Sequence, residues 1–112
     1  MAARIKFKQS GSQDVVSNMI YVKPHNPAAE PITKDNYLEK AELDPIPAPE
    51  ADGYIHFDIQ PLFPNLDGDY DFGVAAIDDA GNISPLLTQG LVNIGLDFVA
   101  PSPPTDASVY YD

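Results

Sequence analysis

The chain has 112 residues, enough for one domain with a single compact core. It contains no Cys, which excludes a disulfide framework, a zinc–cysteine site and a thiol nucleophile. The chain has 17 acidic residues and only 6 Lys and Arg residues, which gives a net charge of −11. Because phosphate binding relies on Lys and Arg, nucleic acid is not an expected partner.

The charge is unevenly distributed along the chain. All the basic residues lie within the first 40 positions, and every acidic residue from position 57 onward is Asp. Asp favours turns and caps over helix interiors, so the second half is predicted to consist of strands joined by Asp- and Gly-rich turns. We interpret the acid excess as a solvated surface, with cation binding or docking to a basic partner as the alternative.

Short β-favouring runs recur between turn signals. The predicted strands, in chain order, span residues 4–9, 15–22, 37–43, 54–60, 70–76, 86–96 and 107–110. Six to seven short antiparallel strands separated by Gly, Asn, Asp and Pro predict an all-β, immunoglobulin-like sandwich.

The first half of the chain contains three of these runs. In the first run, basic residues alternate with Ile5 and Phe7, as in a half-buried strand. The second ends in the apolar residues 19–22 and predicts a central strand that is buried on both faces. The third, residues 37–43, predicts an edge strand, with a short capped helix as the alternative. Prolines alternate through residues 44–50 and predict an extended linker.

The later runs alternate apolar residues, predicted to face inward, with polar ones. The predicted inward-facing residues are Ile55, Phe57, Ile59, Tyr70, Phe72, Val74, Ala76, Val92, Ile94 and Leu96. With no disulfide available to join the sheets, the core is predicted to pack around Phe7, Phe57, Tyr70 and Phe72.

Residues 68–84 have the sequence GDYDFGVAAIDDAGNIS. This segment resembles strand F and the following turn of bacterial fibronectin type III domains, whose pattern is roughly G-x-Y-x-F-x-V-x-A-x-D-x-A-G-N-x-S. The resemblance implies a fibronectin type III-like sandwich with Tyr70 at the tyrosine corner, its hydroxyl bonded to the backbone of the preceding loop. Strands B, C, E and G then correspond to residues 5–7, 19–22, 55–59 and 92–96. Phe7 stands where the family usually has Trp.

Strand A of the resembled family follows a Pro-rich entry, and nothing like it precedes Ile5 in this sequence. Residues 99–112, which we call the C-terminal segment, do resemble that entry. We therefore divide the chain into a sandwich, residues 1–98, and the C-terminal segment, which we expect to take part in strand pairing. Three alternatives stay open: the segment begins a next domain, folds back into its own sandwich, or pairs with a neighbouring subunit at an open sheet edge.

Candidate sites for chemistry are few. Asp67, Asp69 and Asp71 alternate, so a strand would place all three on its outward side, where oxygen ligands could suit Ca²⁺. A solubilising corner is the favoured interpretation, and no metal or cofactor is expected. His25 and His56 have no partner at ligand spacing, and no Ser stands in a nucleophile-elbow context, so we do not expect an enzyme.

The sequence thus predicts a non-enzymatic protein-interaction, spacer or structural module. The alternative is a self-assembling subunit of a fibre, coat or decoration protein that exchanges its C-terminal strand. A second alternative is an accessory carbohydrate-binding module, with Tyr37, Tyr54 and Tyr110 as platforms. The candidate interaction residues are Tyr37, Asp78, Asp79, Val109 and Tyr110.

The expected partner is another protein or a second copy of the chain. No run approaches the roughly 20 apolar residues of a membrane span. The N-terminus lacks the apolar region of a signal peptide, although the resemblance favours an extracellular or cell-surface location.

Overall fold

The computed structural model describes residues 3–29, 31–101, 103–105 and 107–111. These residues form β-strands and no helix, which confirms the all-β prediction. In chain order the strands are β1 (Arg4–Phe7), β2 (Val15–Pro24), β3 (Glu39–Leu43), β4 (Ile55–Asp58), β5 (Asp67–Asp78) and β6 (Ile94–Asp97).

The strands assemble into two antiparallel sheets. Strands β1 and β4 form a two-stranded sheet, and the other four form a sheet in the order β3-β2-β5-β6. The central pair is β2 and β5, whose register places Ile20 opposite Val74 and Val22 opposite Phe72. Residues 37–43 contribute an edge strand, β3, and no helix, because Glu39 to Leu43 pair with the outer side of β2.

The two sheets pack face to face around one core. Phe7, Phe57 and Phe72 are each at most 5% exposed, as predicted, while Tyr70 is half-buried against the same core. The rings of Phe7 and Phe57 meet edge to face with centroids 6.1 Å apart. Full burial of an apolar side chain of this size stabilises the fold by about 1.5–3 kcal/mol.

A second, smaller apolar cluster covers the outer face of the four-stranded sheet. Tyr21 of β2 and Ala75 of β5 point away from the main core, and Ile32 is buried with them. Tyr37 and Leu86 pack against this cluster from the two loops that cross the sheet. The cover explains why Ile20, Tyr21 and Val22 are buried on both faces of β2, as their apolar run predicted, while Met19 is half-buried.

The loop between β4 and β5 also contributes to the main core. The amides of Leu62 and Phe63 both donate to the Ile59 carbonyl, at 3.0 and 2.9 Å, in a tight turn. This turn directs the Phe63 ring inward, where it is 2% exposed and lies 6.1 Å from the ring of Phe72. Alternation along a strand cannot predict this burial, because the turn breaks the two-residue period.

The predicted strand at residues 86–96 is wrong over most of its length. Only its last residues enter β6, and Leu87 makes one isolated bridge to β5. Gly90 has a positive φ of 80°, which interrupts the extended backbone. As a result Leu91 turns into the core, at 9% exposed, and Val92, predicted to face inward, is 51% exposed.

Candidate functional site

The outer edge of β1 has no neighbouring strand among the described residues. The Ile59 amide donates to the Ala3 carbonyl at 3.0 Å, and the antiparallel register runs on from this pair along β1 and β4. Because hydrogen-bonded and non-hydrogen-bonded pairs alternate, the backbone groups of Arg4 and Lys6 point away from β4. We call this row of unpaired backbone donors and acceptors the open edge; a further strand could extend it.

A cleft of about 410 Å³ lies beside the open edge. Its apolar lining includes Ile5 and Ile59 from the side of the two-stranded sheet. Leu91 and the half-buried Ile94 line it from the side of the four-stranded sheet. The two-stranded sheet therefore stops short of covering its partner sheet here, and a strand added to β1 would lie over this lining.

The connection from β3 reaches the two-stranded sheet at the turn before β4. Its Ile46 packs against the main core, and the Glu50 amide donates to the Tyr54 carbonyl at 2.9 Å. The turn that enters β4 is therefore closed by the protein's own chain, whereas the β1 side borders the cleft.

The outer face of β1 carries cationic side chains only. The Arg4 guanidinium pairs with Asp58 at 2.9 Å and with Glu50 at 3.6 Å. The ammonium groups of Lys6 and Lys8 lie 4.9 and 5.3 Å from the centre of the Tyr54 ring, within the range of cation–π attraction. Neither lysine takes part in the ion pairs found in the described part of the chain. The open edge thus presents two cations, Lys6 and Lys8, outside the ion pairs, beside the carboxylates of Glu50 and Asp58 that hold Arg4.

His56 is held by a carboxylate on this same outer face. Its Nε2 lies 2.9 Å from the Asp52 carboxylate, which also accepts the Tyr54 amide at 2.9 Å. The bond from the Tyr54 backbone, and secondarily His56, lower the pKa of the Asp52 carboxyl. The imidazole and its partner brace the turn that enters β4.

The described residues of the C-terminal segment are all exposed. The molecule is 72 Å long and has a radius of gyration of 18.2 Å, against about 13 Å for a compact chain of this length. Val109 and Tyr110 are each 82% exposed, and Tyr111 is 95% exposed. The predicted strand at 107–110 is wrong for the single chain, because a strand needs a neighbour and none of the described segment residues has one.

Asp78 and Asp79, both predicted to interact with a partner, differ in their surroundings. The Asp78 carboxylate accepts the amides of Ala80 and Asn82, at 3.0 and 2.8 Å, and the Asn82 side-chain amide at 3.0 Å. The bonds from Asn82 are the largest cause of a lowered pKa of the Asp78 carboxyl. Asp78 therefore shapes the β5 turn, while the side chain of Asp79 is exposed.

Tyr70 anchors the start of β5 as its position in the motif predicted. Its hydroxyl donates to the Asp67 carbonyl and accepts the Asp67 amide, both at 3.1 Å. One phenol thus satisfies both backbone groups of a residue three positions upstream, which fixes how the preceding loop enters the strand.

Tyr37 is not an exposed platform. Its ring packs edge to face on the buried Tyr21 with centroids 5.0 Å apart, and the Lys40 ammonium lies 5.5 Å from its centre. With Tyr54 beneath two lysines, Tyr110 is the exposed one of the three tyrosines considered as carbohydrate platforms.

The three alternating aspartates of β5 do not converge on one point. Asp71, expected to lie on an exposed face, is 6% exposed because the loop after β2 covers it. Its carboxylate lies 2.8 Å from His25 Nδ1 and accepts the Asn93 amide at 2.9 Å. Asp67 and Asp69 remain exposed. Within the described ranges, no group of three His, Cys, Asp or Glu side chains is placed to hold a metal ion.

No protein-family model, curated protein or solved structure matches this chain. In the described part of the chain there is no helix with the length and apolar character to cross a membrane.

Proposed function

We propose that this chain is a non-enzymatic protein-interaction module of the fibronectin type III-like class, and that it binds by accepting a strand at the open edge. Sandwiches of the immunoglobulin type place strands B and E in one sheet and C, F and G in the other. The sheet order supports this class, with β1 and β4 in the positions of B and E and β2, β5 and β6 in those of C, F and G.

The observation that carries the proposal is the combination of the open edge with the cleft beside it. An unpaired edge supplies backbone hydrogen bonds to any extended peptide, and pockets for alternate side chains supply selectivity. The cleft offers such a surface on the inner side, through Ile5, Leu91 and Ile94. The basic outer face, with Lys6 and Lys8, favours a strand with acidic residues.

Two further observations favour binding over catalysis. The ring of His25 is directed at the Asp71 carboxylate, which the Asn93 amide also engages, so this pair ties two loops to β5. The cleft beside the open edge is lined by apolar and basic side chains together with Tyr54 and Gln89, and by neither His nor a carboxylate. The carbohydrate alternative keeps one exposed aromatic candidate, Tyr110.

The test is selection of short peptides from a displayed random library against the full chain. We expect selected peptides to alternate apolar and acidic residues and to lose at least roughly tenfold in affinity against Lys6→Pro, about 1.4 kcal/mol. Proline there removes an outward-pointing N–H and leaves the β1–β4 ladder in place. Lys6→Ala, which removes the same charge and keeps that N–H, is the matched control and should lose clearly less affinity than Lys6→Pro.

Peptides that bind Lys6→Pro as tightly as the unchanged chain would place the binding surface elsewhere and overturn the proposal. Selective binding of a polysaccharide that Tyr110→Ala abolishes would instead favour the carbohydrate-binding alternative.

A further inference from the structure

We propose that the strand accepted at the open edge is the C-terminal segment of a second copy of this chain, through residues 107–111. This inference rests on the proposed function and names its partner. It accounts for two features that the single chain leaves without a counterpart: an unpaired edge beside an apolar cleft, and an exposed segment rich in β-favouring residues.

Apolar and charged residues alternate in a matching way along β1 and along the C-terminal segment. Along β1, cationic residues face outward, while Ile5 and Phe7 face the core. From position 106 the sequence reads Asp-Ala-Ser-Val-Tyr-Tyr-Asp. In a strand, the period of two places Ala107, Val109 and Tyr111 on one face and both flanking aspartates on the other. Such a strand beside β1 sets its apolar side chains over the cleft and its acids beside the basic row.

Charge selects β1 over the remaining edges. The C-terminal segment contains Asp106 and Asp112 and no basic residue. The edge strands β3, β4 and β6 all carry carboxylates, whereas β1 carries only Arg4 and Lys6 as charged residues. Opposite charges on facing strands attract and like charges repel, so an acidic strand fits β1 best. Two β1 edges would repel each other, which disfavours symmetric pairing through this edge.

The single chain does not complete its own edge. After β6 the described residues of the C-terminal segment lead away from the sandwich, and all of them are exposed. Pro101, Pro103 and Pro104 fix φ at successive points and favour an extended path. Donor and acceptor therefore lie on different surfaces of one molecule. Repeated donation is heterologous, and it produces open chains or closed rings of copies.

The test uses mixed samples of the full chain. Because the protein has no Cys, Tyr110→Cys provides a single attachment point for a nitroxide on the face that would point away from the cleft. Copies at natural isotope abundance that carry the nitroxide are mixed with ¹⁵N-labelled copies of the unchanged protein. Any paramagnetic broadening of ¹⁵N signals then reports contact between copies, and the chemically reduced nitroxide serves as the blank.

We expect selective broadening of the amides of Arg4 to Phe7, with the β3 amides of Glu39 to Leu43 little affected. Lys6→Glu combined with Lys8→Glu should weaken self-association roughly tenfold, and Asp106→Lys with Asp112→Lys in the same chain should restore it. Lys34→Glu with Lys40→Glu is the matched control, since it reverses two charges away from the open edge and should leave association unchanged.

Three outcomes overturn the inference: a monomer at every concentration, an association whose broadening lies on β3 or β6, and pairing confined within one chain. Pairing within one chain is detected with chains that carry both the nitroxide and ¹⁵N: their broadening persists when they are diluted into chains that carry neither label. The first two outcomes leave intact the separate result that foreign peptides bind at β1, so failure of this inference is distinguishable from failure of the proposed function.

Discussion

Individual polar side chains hold both ends of β5. At its start, the Tyr70 hydroxyl bonds to both backbone groups of Asp67, and at its end the Asp78 carboxylate gathers three N–H donors from the following turn. Gly81 in this turn has a φ of 85°, a conformation that glycine adopts without strain. Tyr70, Asp78 and Gly81 therefore each have an identifiable structural role at the ends of β5.

The lowered pKa of Asp78 predicts a specific dependence of stability on pH. Because the folded state favours the carboxylate, Asp78 stabilises the protein above the ordinary aspartate pKa of about 3.9, and this stabilisation is lost as the pH falls through the lower folded value. Asp78→Asn should lower the free energy of unfolding at pH 7. In acid, where the Asp78 carboxyl of the unchanged protein is protonated, the unfolding free energies of the two proteins should differ less. Urea unfolding at a series of pH values measures this.

Asp79→Asn is the matched control for that series, because the neighbouring side chain is exposed and makes no hydrogen bond in the described part of the chain. It should leave the free energy of unfolding at pH 7 nearly unchanged. An equal loss in both variants at pH 7 would contradict the role assigned to the Asp78 bonds.

At the scale of elements, the alternation of apolar and polar residues predicts the strands but not the connections between them. The pattern of Ile55, Phe57 and Ile59 predicts β4 and its buried face because a strand repeats every two residues. The burial of Phe63 and Leu91 depends on turns that break the two-residue period, so alternation predicts neither.

The loop between β4 and β5 should therefore be as sensitive to truncation as a strand. Phe63→Ala removes a ring that is 2% exposed and packs on Phe72, and we expect it to cost about 3–5 kcal/mol of unfolding free energy. Leu62→Ala, at the half-buried neighbouring position, should cost clearly less. Chemical denaturation measures both, and a cost for Phe63→Ala below about 1 kcal/mol would show that the loop is not part of the core.

At the scale of the whole molecule, charge and shape are arranged asymmetrically. The basic residues include the row on β1, whereas the C-terminal segment is acidic in sequence and exposed over its described residues. The sequence predicted that this segment pairs and left its partner open. Its pairing could not be derived further from sequence, because a strand edge becomes visible only once the order of the sheets is known.

The central claim, that the open edge accepts a strand from a second copy, is tested most directly by residue-resolved hydrogen exchange of the full chain across a range of concentrations. Amides that face β4, such as those of Ile5 and Phe7, should be protected at every concentration. The amides of Arg4 and Lys6 point outward and should exchange rapidly in dilute samples, then become protected as copies associate. Rapid exchange at Arg4 and Lys6 in samples shown to be associated, or protection unchanged by dilution, would contradict the claim.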